Sequence, residues 1–320
     1  MRLVDDLVSR SSARDPMFLD GWGDSALLAD VEHGRVSFET KSVPATLSLG
    51  DALSSARWHT QEFSFVSPLA DLFAEPHCAR VAGRWLRPLG GVSERRLLVL
   101  GSSREEGFGL RTWAWSKLLA RGYELVFLET PFYGSRRARA QTSASVRSVA
   151  EQLLLHLAMV QEACAMLATV RQGFAGALGV AGFSMGGYMA AMTAALCPFD
   201  VAAVIIAGGV SPAPVYLDHY LSRSVSWSSL PPSPAAAKAR LRGLLSRDTS
   251  TYAPPRRPDA AAIVACGRDG FVPPVESARL AQHWGAQDLT FVDAGHTIGF
   301  LGHRPHFHAA VERAFRRLEA

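Results

Sequence analysis

Short apolar runs alternate with amphipathic stretches along most of the chain beyond residue 80. The apolar runs predict strands at 81–89, 95–103, 124–134, 177–184, 201–209, 261–267 and 288–295. Apolar positions at helical spacing predict helices at 110–122, 145–173, 185–197 and 305–318. Strands that alternate with crossover helices form a mostly parallel central sheet with helices on both faces, so the pattern predicts an α/β fold.

Two regions interrupt this alternation. Residues 210–259 are rich in proline, with room for one or two short helices, and they lie between two late strands. An insertion at that point lies above the carboxyl ends of the strands, where ligands bind in open α/β sheets, so we interpret it as a candidate lid. The alternative is a surface excursion without catalytic consequence. Residues 1–60 are weakly patterned and are interpreted as an N-terminal arm.

Composition narrows the class of protein. With 48% hydrophobic and 19% charged residues, the chain has the make-up of a folded globular protein, and we expect no membrane span and no N-terminal secretory signal. A net charge of +4, dispersed along the chain, argues against a nucleic-acid partner. The cysteines are far apart and form no CxxC pair, which predicts reduced thiols and a cytoplasmic location: Cys78, Cys164, Cys197 and Cys266.

The stretch GFSMG places Ser184 between Gly182 and Gly186, after a predicted strand and before a predicted helix. This G-x-S-x-G pattern is typical of a sharp turn that exposes a nucleophilic serine above the sheet. The bland alternative is a tight strand-to-helix turn with no chemical role. The position of the pattern, between strand and helix, favours the nucleophile.

A serine nucleophile needs a base, and the base needs an acid that orients it. Asp269 follows the predicted strand 261–267, and His296 follows the last predicted strand. Either residue alone has an ordinary explanation, as an Asp-Gly turn or a loop histidine. The order Ser, Asp, His at the carboxyl ends of strands predicts a catalytic triad.

Acyl transfer also needs two N–H donors for the oxyanion. We expect one to be the backbone of Met185, directly after the serine. The second should come from the loop after strand 95–101, where Ser102 is favoured and Ser103 is the alternative.

Six segments of the chain carry a recognisable pattern: FLDGWGD, FSFVSPLADLF, ETPFYGSRRARAQTSAS, GFSMGGYMAAM, GRDGFVPP and DAGHTIGFL. Together they resemble the alpha/beta hydrolase domain-containing 18 family. The resemblance covers almost the whole chain and implies a single α/β-hydrolase domain over residues 1–320, with Ser184, Asp269 and His296 as its triad. The chain departs from the family pattern after PFYG, where Arg136, Arg137 and Ala138 stand in place of a sequence close to arginine, lysine, proline.

Arg136 lies in a loop that follows a strand on the active-site edge. Its guanidinium could bind a carboxylate or phosphate of a substrate. It could equally brace the loop by bonding to backbone carbonyls or to Glu129.

Cofactor signals are weak. No GxGxxG or GxxxxGK[ST] motif is present, and His303, His306 and His308 lack a carboxylate at a metal-ligand spacing. We therefore expect neither a metal nor an organic cofactor.

The sequence favours a serine hydrolase acting on a small-molecule ester or thioester with an apolar acyl group. An acyltransferase that uses the same triad is an alternative. A non-catalytic binding protein on the same scaffold is another, since fold does not dictate function.

Overall fold

The computed structural model describes residues 2–39, 42–90 and 93–320. Within these residues nine strands form one sheet. They are β1 (Ser48–Ser54), β2 (Trp58–Val66), β3 (Arg80–Pro88), β4 (Arg95–Leu100), β5 (Tyr123–Leu128), β6 (Ala177–Phe183), β7 (Ala202–Ile206), β8 (Ala261–Cys266) and β9 (Asp288–Val292).

The sheet has the order β1-β2-β3-β5-β4-β6-β7-β8-β9. From β5 to β9 every neighbouring pair is parallel, whereas β1, β2 and β3 form an antiparallel flank that joins β5. The predicted mostly parallel sheet is therefore confirmed. The pattern did not predict β1 and β2, which lie in and next to the weakly patterned arm. The parallel arrangement brings the carboxyl ends of β4, β6, β8 and β9 to one edge.

The helices cover both faces of the sheet. They are α1 (Arg2–Ser12), α2 (Ser25–Glu32), α3 (Gly109–Trp115), α4 (Val149–Arg171), α5 (Met185–Leu196), α6 (Ala213–Leu217), α7 (Pro234–Leu244), α8 (Pro274–Trp284), α9 (His296–Gly302) and α10 (Arg304–Glu319). Residues of α4, α5 and α8 share one apolar core with one face of the strands. Residues of α3 and α10 share a second core with the other face. Alternate residues of β4 show this division, since Leu98 belongs to the first core and Leu97 to the second.

Helix α4 is apolar all round and runs through the first core. It begins at a capping box, in which Ser148 accepts from the backbone N–H of Glu151 and the Glu151 carboxylate accepts from that of Ser148. Among the described residues, this helix is long and apolar enough to cross a membrane by length and composition alone. Its most apolar 18-residue window is 94% buried inside the protein, which is also the behaviour of a core helix.

The insertion at 210–259 contains α6 and α7, in line with the expectation of one or two short helices. The arm holds α1, α2 and β1, so it has more regular structure than its pattern suggests. Strand β1 forms the edge of the sheet, with all seven residues exposed. Its pairing with β2 is interrupted by an irregularity between Leu49 and Ala52.

Candidate active site

Ser184 occupies a strained turn between β6 and α5. Its backbone has φ 57° and ψ −121°, outside the regions that an ordinary L-residue prefers. A Cβ at Gly182 would lie 2.2 Å from backbone atoms of Gly186, and a Cβ at Gly186 would lie 2.5 Å from the carbonyl oxygen of Leu100. Both flanking positions therefore require glycine, because the backbone of the turn packs directly against itself and against β4.

The structure brings Ser184, His296 and Asp269 together. The Oγ of Ser184 lies 2.9 Å from Nε2 of His296, and Nδ1 of His296 lies 2.6 Å from Oδ2 of Asp269. The other oxygen of Asp269 accepts from the backbone N–H groups of Phe271 and Val272, each at 2.8 Å. These bonds fix the carboxylate, which in turn fixes the imidazole. With Nδ1–H directed at Asp269, Nε2 is free to accept the serine proton.

Aromatic side chains shield the imidazole. The ring of Phe183 lies 4.6 Å from that of His296, and the ring of Phe271 lies 5.3 Å from it, both measured between centroids. The His296 side chain is 12% exposed. Hydrogen bonds in such surroundings face little competition from water, which strengthens them.

The loop after β4 decides between the two candidates for the second oxyanion donor. The backbone N–H of Ser102 donates to Oε2 of Glu105 at 2.9 Å, so it is not directed at the site. Among the described residues, the backbone N–H groups of Ser103 and Met185 donate to no protein acceptor. Ser103, the alternative in the sequence analysis, therefore replaces Ser102 as the candidate partner of Met185.

This loop is held by residues that sequence reasoning missed. Glu105 also accepts from Nε of Arg111 at 2.8 Å, and Arg111 donates to the carbonyl oxygen of Val99 in β4. Both side chains are almost fully buried. The hydroxyl of Tyr133 forms a hydrogen bond with the Ser103 side chain, and burial raises the pKa of Tyr133 above its ordinary value. No local sequence signal marks these contacts, since Glu105 and Arg111 read as residues of a polar loop and a helix.

Arg136 lines neither of the two cavities that border Ser184. It is fully buried, and its guanidinium forms two hydrogen bonds with the Glu162 carboxylate of α4, at 2.6 and 2.7 Å. It also donates to the carbonyl oxygens of Cys78 and Glu129, each at 2.9 Å. The geometry thus contradicts the substrate-binding hypothesis and matches the alternative, in which Arg136 braces its loop through backbone carbonyls.

Ser184 lies between two cavities. The outer cavity has a volume of about 340 Å³ and contains His296 in its wall. Its other lining is mostly apolar and includes Val8, Leu110, Phe271, Phe300 and Leu301. The inner cavity has a volume of about 40 Å³ and contains Met185 in its wall. Ser103, Val215 and Leu221 line both cavities, so the insertion at 210–259 contributes to both through the latter two residues.

The far wall of the inner cavity carries a buried histidine from α4. His156 is 2% exposed, and burial lowers its pKa to about 3. Its Nε2 accepts from the side-chain amide of Gln152 at 2.9 Å and faces the hydroxyl of Tyr216 at 3.4 Å. His156 is therefore neutral at physiological pH and adds no charge to the cavity.

The three C-terminal histidines do not converge on a common point. His308 is buried and donates to the carbonyl oxygen of Ala114 at 2.8 Å, while His303 lies beside His306. Over the described ranges, no group of three or more His, Cys, Asp or Glu side chains is arranged to hold a metal ion.

The sequence matches one protein family over most of its length. The family described as alpha/beta hydrolase domain containing 18 matches residues 15–242 and 233–317. The two matched ranges include Ser184, Asp269 and His296.

Solved structures of esterases have a similar fold. An acetyl xylan esterase from a Thermoanaerobacterium species is 16% identical with a TM-score of 0.57, and the match covers 95% of this chain and 98% of that one. A cold-adapted esterase from an Arctic intertidal metagenomic library is 15% identical with a TM-score of 0.54, covering 84% and 97%. An acetyl xylan esterase from a Paenibacillus species is 14% identical with a TM-score of 0.57, covering 94% and 98%. These similarities confirm the predicted fold.

Proposed function

The chain belongs to the alpha/beta hydrolase domain containing 18 family, and from that premise we propose that it is a serine hydrolase that cleaves a carboxylic ester or thioester. The observation that carries the proposal is the unbroken chain of hydrogen bonds from Ser184 through His296 to Asp269. It lies at the edge of the sheet where α/β proteins bind ligands.

In the proposed mechanism, Nε2 of His296 takes the proton of the Ser184 hydroxyl while Oγ attacks the carbonyl carbon. The oxyanion that forms accepts from the N–H groups of Met185 and Ser103. Met185 begins α5, so the partial positive charge at that helix terminus adds to the stabilisation. Asp269 keeps the imidazole oriented and stabilises its protonated form.

Collapse of the tetrahedral intermediate breaks the bond to the leaving group, which takes its proton from Nε2 of His296. The acyl group stays on Oγ. A water molecule then gives a proton to the same nitrogen and attacks the acyl carbon. Collapse of the second intermediate breaks the bond between the acyl carbon and Oγ, which takes the proton back from Nε2, and the acid is released. None of these steps calls on a residue outside the three-residue chain and the two N–H donors.

The two cavities support an assignment of the two halves of the substrate. The leaving group must lie near Nε2 of His296, which borders the outer cavity and not the inner one. The acyl group then points toward the inner cavity. A water molecule needs about 10–15 Å³, so 40 Å³ holds about three heavy atoms. We therefore assign a short acyl group to the inner cavity and the larger apolar part of the ester to the outer one, which revises the sequence-based assignment of the apolar part to the acyl group.

Labelling with a fluorophosphonate probe tests the nucleophile directly. We expect a covalent adduct on Ser184, located by peptide mass spectrometry, because the probe reacts with an activated serine. Ser184→Ala and His296→Ala should both abolish it. Ser246→Ala is the matched control, since this serine is exposed and lines neither cavity, and it should be labelled like the wild type. A folded wild-type protein that resists labelling contradicts the proposal and favours a binding protein on this scaffold.

A series of p-nitrophenyl esters tests the acyl assignment. With the leaving group held constant, we expect kcat/KM to be highest for acetate or propionate. It should fall by about tenfold or more at octanoate, because the longer chain does not fit the inner cavity. A kcat/KM that stays equal or rises with acyl length would contradict the assignment of the acyl group to the inner cavity. It would leave the conclusion from labelling at Ser184 unchanged.

A further inference from the structure

Helix α1 lies against the loops that carry the proposed triad, and its Asp5 is fully buried. We propose that Asp5 is a positioning residue, whose carboxylate holds the loop of Asp269 and the loop of His296 in their relative places. The inference rests on the proposed function, because it gives His296 the role of the base.

Three backbone N–H groups donate to the Asp5 carboxylate. Its Oδ2 accepts from Gly270 at 3.1 Å and from His296 at 2.8 Å, and its Oδ1 accepts from Thr297 at 2.9 Å. Gly270 directly follows Asp269, so one carboxylate joins the residues that carry both ends of the Asp269–His296 hydrogen bond. A shift of either loop would change the 2.6 Å distance between Oδ2 of Asp269 and Nδ1 of His296.

The same helix is also tied to the proposed oxyanion loop. Arg104, next to Ser103, donates to the carbonyl oxygen of Ser12 at 3.2 Å and to that of Asp15 at 2.7 Å. Val8 and Ser12 of α1 line the outer cavity. The helix and the residues just beyond it therefore contact all three loops of the proposed site.

The surroundings of Asp5 differ from those of an ordinary helix carboxylate. Its neighbour Asp6 lies at the surface and pairs with Arg10 and Arg223. By contrast, within the part of the chain that the structure describes, no Lys, Arg or His side chain forms an ion pair with Asp5. A buried carboxylate costs free energy unless hydrogen bonds replace its hydration, and the three N–H groups of the two loops supply them.

The family match begins at residue 15, after the last residue of α1. The helix that carries Asp5 thus lies outside the matched ranges, although the loops that it holds lie inside them.

Kinetics of four variants test the role. Asp5→Ala removes the three bonds, and we expect kcat to fall about tenfold or more with KM changed less than about twofold, because a small displacement of reacting groups lowers the rate strongly. Asp5→Asn should regain part of kcat, since its one carbonyl oxygen can accept from Gly270 and His296. Ser9→Ala removes the bond that docks α1 on the carbonyl oxygen of Tyr220, and Asp6→Ala removes surface ion pairs. Both control variants should keep kcat within about twofold of the wild type.

Proton NMR tests whether Asp5 positions His296 and does not depend on turnover. The Nδ1 proton of His296, assigned by its absence in His296→Ala, should give a hydrogen-bonded proton NMR signal in the wild type, Ser9→Ala and Asp6→Ala. In Asp5→Ala and, less strongly, Asp5→Asn it should shift or broaden. An unchanged signal in folded Asp5→Asn, or a kcat of Asp5→Ala equal to that of Ser9→Ala, overturns the positioning role. Absence of labelling at Ser184 in the wild type overturns the proposed function instead, while the NMR comparison still decides whether Asp5 holds His296.

Discussion

Arg136 and Arg137 are adjacent in the chain, but they have different surroundings. The Arg136 side chain is completely buried against Glu162, whose side chain is 1% exposed. The Arg137 side chain pairs with Glu106 at the surface, and both are about one third exposed. A buried charge depends on its partner, whereas water can replace the partner of an exposed one.

We therefore predict that Arg136→Ala lowers the free energy of unfolding by about 3–5 kcal/mol, because it leaves the Glu162 carboxylate buried without its partner. Arg137→Ala, the matched control, should lower it by less than about 1 kcal/mol. Denaturant titration measures both values. If Arg136→Ala were as stable as the control but had a raised KM, the result would support the hypothesis that Arg136 binds the substrate.

At this scale the sequence predicts the residues that belong to a local motif and misses those that depend on distant contacts. Ser184 stands in a pattern of five residues, and the strand ends place Asp269 and His296. Asp5 lies 291 residues before His296, and nothing nearby in the sequence distinguishes it from Asp6. Ser102 and Ser103 are identical side chains, so only the direction of their N–H groups separates them.

At the level of elements, the junction of β6 and α5 depends on the absence of side chains. The backbone at Gly182 touches that at Gly186, whereas nothing lies within 4 Å of a Cβ added at Gly243 in α7. Gly182 permits a close approach of two backbone segments, whereas Gly243 only weakens its helix.

Gly182→Ala should lower the free energy of unfolding by at least about 1–3 kcal/mol, because the added methyl group overlaps the backbone of the turn. Gly243→Ala should raise it by about 0.5–1 kcal/mol, since alanine favours the helix and meets no obstacle. Thermal and denaturant unfolding measure both. A neutral Gly182→Ala would show that the turn relaxes easily, contrary to the close contacts described above.

Helix α4 introduces a pH dependence through His156. Burial lowers its pKa from 6.5 to about 3 in the folded protein, so between these values the unfolded chain binds more protons than the folded one. Stability therefore falls as the pH falls below 6.5, by up to about 1.4 kcal/mol per pH unit from this residue. His156→Gln should show a shallower loss between pH 6.5 and 4 in denaturant titrations. Equal slopes for the two proteins would mean that the ring accepts a proton inside the fold.

For the whole molecule, hydrophobic periodicity predicts the strands that are buried on both faces better than those at the flank. All residues of β7 and β8 are buried, and both segments read as continuous apolar runs. The outer strands alternate or are fully exposed, as in β1, and their pairing depends on partners elsewhere in the chain. Strands β1 and β2 were missed for this reason, whereas the parallel strands that position the site were predicted.

Hydrogen exchange should differ between the buried inner strands and the exposed edge strand. We predict that amide protons of β6, β7 and β8 exchange slowest and those of β1 fastest among the strands, because protection follows burial and contact density. Mass spectrometry after pulse labelling resolves these segments. Protection of β1 equal to that of β7 would indicate that a second molecule covers the edge.

The exposed edge strand also bears on the colloidal behaviour of the protein. A long, flat edge offers unpaired backbone groups to another chain and invites fibre growth. Here the irregularity between Leu49 and Ala52 breaks the regular edge, and Asp51 places a charge at that point. We therefore expect this edge to resist the addition of a tenth strand from a second molecule.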